Sequence, residues 1–100
     1  MNTDQIKVLS RCQDHAMGVS FVLRALKLQE ETGEVAAAVL CAVDAGNKSA
    51  SATNNVAEEV VDVIINGFDI LYALGVSDNQ IQELLDAKLD KWKRKLEALG

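Results

Sequence analysis

An all-α fold, a four-helix bundle-type protomer with short connections, is what this sequence predicts. Three observations carry it. The chain has no proline and only 4% aromatic residues, while 49% is apolar with alanine, leucine and valine dominant, a balance that suits packed helices better than a sandwich or barrel. Apolar residues recur at helical spacing through long stretches. Two capping signatures, Asn55 with Glu58 and Ser77 with Gln80, mark helix starts. At 100 residues, one core and a single domain spanning residues 1–100 are expected.

The first helix is expected from about Thr3 to Met17, with Ile6, Leu9 and Cys12 near helical spacing. Gly18 offers a break, and Ser20 is a plausible N-cap for a second helix from Phe21 to Asp44. That helix carries Phe21, Leu28, Val35 and Val39 among other apolar residues. Residues 45–55, "AGNKSASATNN", read as a loop because they are small, polar and rich in turn formers. The third helix opens at Asn55 and runs to about Leu74, with Gly75 suited to the left-handed position that ends it. Ser77 caps a fourth helix reaching about Leu99. Neither an internal repeat nor a low-complexity tract is visible.

The third helix is apolar on most of its circumference, through Val56, Val60, Val61, Val63, Ile64, Ile65, Phe68, Ile70 and Leu71. Such a helix needs burial on most sides. A lone protomer of this size cannot easily supply it, so a homodimer or homotetramer is expected.

The formal charge of −5 argues against nucleic-acid binding, which needs a basic footprint. The one concentrated basic stretch, "KLDKWKRK" at residues 88–95, either attracts phosphate locally or solvates a helix. No apolar run reaches the roughly eighteen residues of a membrane span. The start lacks a basic segment followed by an apolar one, so no signal peptide is expected. Cys12 and Cys41 lack metal-ligand spacing and suit a reduced, structural pair. A cytoplasmic protein is the expectation.

Acidic residues interrupt the two most hydrophobic segments. In the third helix Glu59, Asp62, Asn66 and Asp69 fall within roughly an 80° arc at 100° per residue. In the second, Lys27, Glu30, Glu31 and Glu34 fall within roughly a 100° arc, and Ala38 and Cys41 continue that side with small residues. If the stripes face each other, Glu31, Glu34, Glu59 and Asp62 converge. Each close pair at ~5 Å and an effective dielectric near 20 costs about 3 kcal/mol. One lysine, Lys27, cannot neutralise four acids; a divalent cation can. An oxygen-only donor set selects a hard ion, Mg2+ with Mn2+ as the alternative. The competing reading is a pair of solvated acidic faces, the usual fate of such spacing on a helix.

"EETGE" with "EEVVD" downstream closely resembles the EExxE…ExxD signature of the MazG-like all-α NTP pyrophosphohydrolases. The signature residues are Glu30, Glu31 and Glu34, then Glu59 and Asp62. The flanks are similar too: "LKLQEETGEVAAAVL", "VAEEVVDVIINGFDILYALGV" and "AKLDKWKRK" look like the family's second, third and closing helices. The resemblance covers about residues 20–97; each motif is short, but their order, spacing and helical context together are specific.

It implies hydrolysis of a nucleoside triphosphate between its α and β phosphates, giving a monophosphate and pyrophosphate. Glu31, Glu34, Glu59 and Asp62 would hold magnesium, and Glu30 would support the cluster or orient water. Phosphate oxygens would fall to Lys27, Lys88, Lys91 and Arg94, the last suited to a bidentate grip. A dUTP or phosphoribosyl-ATP hydrolase is the specialised alternative, and a non-catalytic helical interaction protein the alternative from another class.

Several residues keep two readings. His15 is either a base contact or an exposed or capping side chain. Trp92 either stacks on a base or packs in a core or interface. Asn66 either reads the base or sugar or is structural, and Asp69 extends the stripe another turn, where a lysine of the closing helix is the expected partner. Cys41 is expected to pack.

Overall fold

The computed structural model describes residues 2–17, 20–44 and 50–100. Among them the protein is all-α, with no strand: α1 (Asp4–Met17), α2 (Phe21–Asp44), α3 (Ala50–Ala73) and α4 (Asp78–Leu99). The expected break at Gly18 and residues 45–49 of the expected loop lie outside the described residues, as does the His15 side chain.

Local chemistry explains three of the helix ends. Ser20 Oγ accepts from the Leu23 N–H at 3.2 Å, capping α2 as expected. Helix α3 closes through Gly75, whose φ is +79°, with the Gly75 N–H on the Tyr72 carbonyl and the Val76 N–H on the Leu71 carbonyl. This doubled closure requires a left-handed residue, and glycine adopts that conformation without a Cβ clash. At α4 the capping box forms in full. The Ser77 Oγ accepts from the Gln80 N–H at 3.2 Å, and the Gln80 side chain accepts from the Ser77 N–H at 2.9 Å.

One boundary differs from expectation. Helix α3 begins at Ala50, so Asn55 lies inside it and forms no cap. Residues 50–54 hold serine, threonine, asparagine and alanine, none of which bars a helix. Each added residue gains one backbone hydrogen bond once the helix is nucleated, which outweighs a modest propensity deficit.

Helices α2 and α3 pack along each other, and α1 lies against α3. Thr32 and Val35 line the seam opposite Val60 and Val63. Ala38 is the only buried hydrophobic residue among those described, and the other buried ones are Ser10, Arg24 and Glu31. Arg24 ties three helices together. Its Nε donates to Asp69 of α3 at 2.9 Å, and Nη2 meets Asp14 of α1 at 2.6 Å. Ser10 Oγ closes the knot by donating to the Asp69 carbonyl at 3.3 Å. Asp69 therefore holds an arginine from α2, not a lysine from α4.

Among the described residues, helix α4 is held mainly at its start. Asp78 accepts from Lys7 of α1 and from the Tyr72 hydroxyl of α3, the latter at 2.9 Å. Beyond that it packs along none of the other helices and buries none of its residues. The expected four-helix bundle is thus three packed helices with a fourth standing apart. The radius of gyration is 16.5 Å, against about 13 Å for a compact domain of this length. Trp92 is 61% exposed, and both cysteines are free and exposed, so Cys41 does not pack within the protomer.

Candidate metal centre

The close packing of α2 on α3 turns the two acidic stripes toward each other. Glu31 and Glu34 are one turn apart on α2, and Ala38, small and buried, continues their side. Glu59 approaches from α3. One carboxylate oxygen from each of Glu31, Glu34 and Glu59 lies within 4.8 Å of the others. Glu31 is buried, Glu59 half-buried and Glu34 exposed, so the cluster is seated in the seam and open on one side.

The electrostatics are unbalanced. Lys27 Nζ reaches Glu31 Oε1 at 3.0 Å and Glu30 Oε1 at 3.8 Å, and these partners hold its ammonium above the usual lysine range, Glu31 first. The second oxygen of Glu31, Oε2, is buried with no hydrogen-bond partner, as is Oε2 of Glu59. Glu34 keeps its proton above the ordinary carboxylate range. Its hydrogen bond with Glu59 is the main cause, and the negative charge of Glu31 follows. Exposed acidic clusters commonly exist without an ion. Two orphaned oxygens in the seam set this one apart, because a buried carboxylate oxygen without a donor is costly.

The donor set fits a hard divalent cation in chemistry: oxygen only, anionic and partly screened from water. Glu31, Glu34 and Glu59 are the residues that could hold it. Asp62, expected as a fourth ligand, is exposed one turn further along α3 and stands outside the group of three. Glu30 is likewise outside it, exposed and facing Lys27. Asn66 Nδ2 donates to the Asp62 carbonyl at 2.7 Å. Its side chain lines a cavity of about 380 Å³ between α1 and α3, shared with Gln5, Gln13 and Asp69.

The basic residues of α4 are not brought to the carboxylates within one protomer. Lys88, Lys91 and Arg94 stand on the helix that packs along neither α2 nor α3. Arg94 pairs with Asp90 on its own helix at 2.8 Å, both side chains exposed. That is the solvating arrangement set against phosphate binding for this stretch.

Sequence reasoning missed Arg24. The signal was present: a single basic residue inside the apolar opening "FVLRAL" of α2. A charge at such a place needs an acid opposite, and the largely buried Asp69 and the exposed Asp14 are those acids. No family model matches the chain, and no curated protein or solved structure matches it either.

Proposed function

We propose that the protein is a magnesium-dependent nucleoside triphosphate pyrophosphohydrolase of the MazG-like kind, cleaving (d)NTP to (d)NMP and pyrophosphate. The observation that carries this reading is the trio Glu31, Glu34 and Glu59 with two buried oxygens that lack a donor. The order and spacing of the EExxE…ExxD residues supply the rest of the support.

In this reading Glu31, Glu34 and Glu59 hold the cation, with Asp62 joining them as the resemblance implies. Bound magnesium supplies charge neutralisation at the phosphates and a more acidic water. Lys27 orients Glu31 through their ion pair and offers its remaining N–H donors to a phosphate oxygen. Glu30, exposed beside Lys27 and outside the trio, positions water. Asn66 lines the α1–α3 cavity and in this reading contacts the sugar or base. No nucleophilic side chain is needed, since water attacks the α phosphorus and pyrophosphate leaves. Manganese shares the required ligand chemistry.

The Lys27–Glu31 pair favours a second reading, a helical interaction protein whose acids only make salt bridges. A panel of canonical and damaged NTPs and dNTPs, with pyrophosphate release followed at millimolar magnesium, distinguishes the two. The hydrolase reading expects release that stops on chelation and differs among bases. No release from any member of the panel sinks it. A marked preference for dUTP or phosphoribosyl-ATP would narrow the assignment to one of those relatives.

A further inference from the structure

Helices α2 and α3, which build the acidic seam, carry only two basic residues between them, Arg24 and Lys27. Arg24 is committed to Asp14 and Asp69. Lys27 is therefore the one cation that either helix offers to the carboxylates of Glu31, Glu34 and Glu59.

The two oxygens of Glu31 meet different surroundings. Oε1 pairs with Lys27 Nζ at 3.0 Å, while Oε2 is buried with no hydrogen-bond partner. The Glu31 side chain is 7% exposed and that of Lys27 52%, so the carboxylate lies inside the seam and the ammonium borders it. Glu59 Oε2 is orphaned as well. Lys27 thus offsets part of the charge and leaves the buried oxygens for another cation.

Position and donor count give the ammonium a second use. Lys27 and the exposed Glu34 are seven residues apart, which puts them within about 20° of each other around α2. The ammonium therefore stands on the open side of the cluster. It has three donors. Glu31 takes one, and Glu30 at 3.8 Å lies beyond hydrogen-bond reach, so donors remain for an incoming anion.

A fixed positive charge beside an anionic cluster acts in opposite senses on two visitors. It repels a bare dication and weakens that ion's hold on Glu31. It attracts a magnesium–triphosphate complex, whose net charge is negative, and gives charge-assisted hydrogen bonds to the phosphate oxygens. We propose that Lys27 makes the seam favour magnesium carried in by a triphosphate over magnesium alone. The inference rests on the hydrolase reading and adds to it how the cation is delivered.

Calorimetric titrations of the full chain at pH 8 test this with two probes, magnesium alone and the preformed magnesium complex of inorganic tripolyphosphate. Lys27→Met should bind magnesium roughly threefold more tightly or better, because the repelling charge is gone. The same variant should bind the tripolyphosphate complex about tenfold more weakly, having lost a charged donor. Lys27→Arg should keep the wild-type preference. Lys27→Gln, which retains a donor for Glu31 without the charge, should shift both affinities as Lys27→Met does. It carries the test if Lys27→Met fails to fold. A Lys27 that only orients Glu31 gives the opposite first result: both probes bind more weakly in Lys27→Met. That outcome overturns the inference, as do unchanged affinities, and either leaves the hydrolase reading standing if the wild-type protein binds magnesium and releases pyrophosphate. Absence of saturable magnesium binding to the wild-type protein overturns both.

Discussion

The α2–α3 pair and α4 are built alike and end differently. All three helices run 22 to 24 residues and carry apolar residues at helical spacing with charges between them. In the pair, each apolar side finds the other, and packing forces Glu31, Glu34 and Glu59 into one seam. In α4 the same kind of stripe buries none of its residues among those described. The difference teaches that amphipathic pattern specifies a need for burial without saying which chain meets it. In the pair that need is met only along the seam, where it concentrates charge, and Leu40, Val43, Val61 and Ile65 stay exposed; in α4 it remains open along nearly the whole helix.

The largest expected effect falls on the seam. Glu34→Gln should lower magnesium-dependent hydrolysis about a thousandfold or more, ~4 kcal/mol in barrier, with the helical content unchanged. Asp62→Asn, one turn outside the trio, sharpens the point: equal loss places Asp62 among the working ligands, and a mild loss leaves the trio as the metal set. Wild-type turnover in Glu34→Gln breaks the account.

Next comes the tie that holds the pair to α1. Arg24→Ala leaves Asp69 in a largely buried position without its guanidinium, and should destabilise the fold by about 3 kcal/mol. Thermal or urea unfolding of the variant measures this, and a change under 1 kcal/mol, about the scale of one ordinary hydrogen bond, would demote the knot.

A pH dependence separates the two regions without mutation. The fold holds the Glu34 proton more tightly than the unfolded chain, whose ordinary value is 4.5. The folded state therefore binds more protons between 4.5 and the raised value, so this group's contribution to stability declines as pH rises through that window. Saturating magnesium should abolish the decline by neutralising the cluster. Unfolding curves against pH, with magnesium and with chelator, should diverge as pH increases; superimposed curves speak against a metal in the seam.

The smallest effect is expected on α4. Arg94→Ala breaks an exposed pair with Asp90 and should alter stability by no more than about 0.5 kcal/mol. Its effect on kcat/KM carries the information. A tenfold loss, about 1.4 kcal/mol, would mean that the basic side of α4 reaches substrate across the assembly. Unchanged kinetics would confine Arg94 to solvation.

What the sequence made legible was local or periodic. Ser77 and Gln80 satisfy each other within one turn, so their capping box was readable from identity and spacing. The convergence of Glu31, Glu34 and Glu59 followed from two stripes on helices that had to bury their flanks. The position of Asp62 was not readable, because it depends on how far α3 is offset along α2. The early start of α3 at Ala50 was hidden by turn-forming composition that helix elongation overrides. The lone Arg24 in the apolar opening of α2 signalled a buried charge, but its partners lie on two other helices, which short-range spacing does not identify. The detachment of α4 was invisible because its stripe reads the same whichever chain covers it.

The central claim, that the α2–α3 seam is a cation site, is tested most directly by calorimetric titration of magnesium into the chelator-treated protein. The account predicts saturable binding, abolished in Glu34→Gln, and retained in Arg94→Ala. Absence of saturable binding to the wild-type protein, or equal binding to Glu34→Gln, would contradict it.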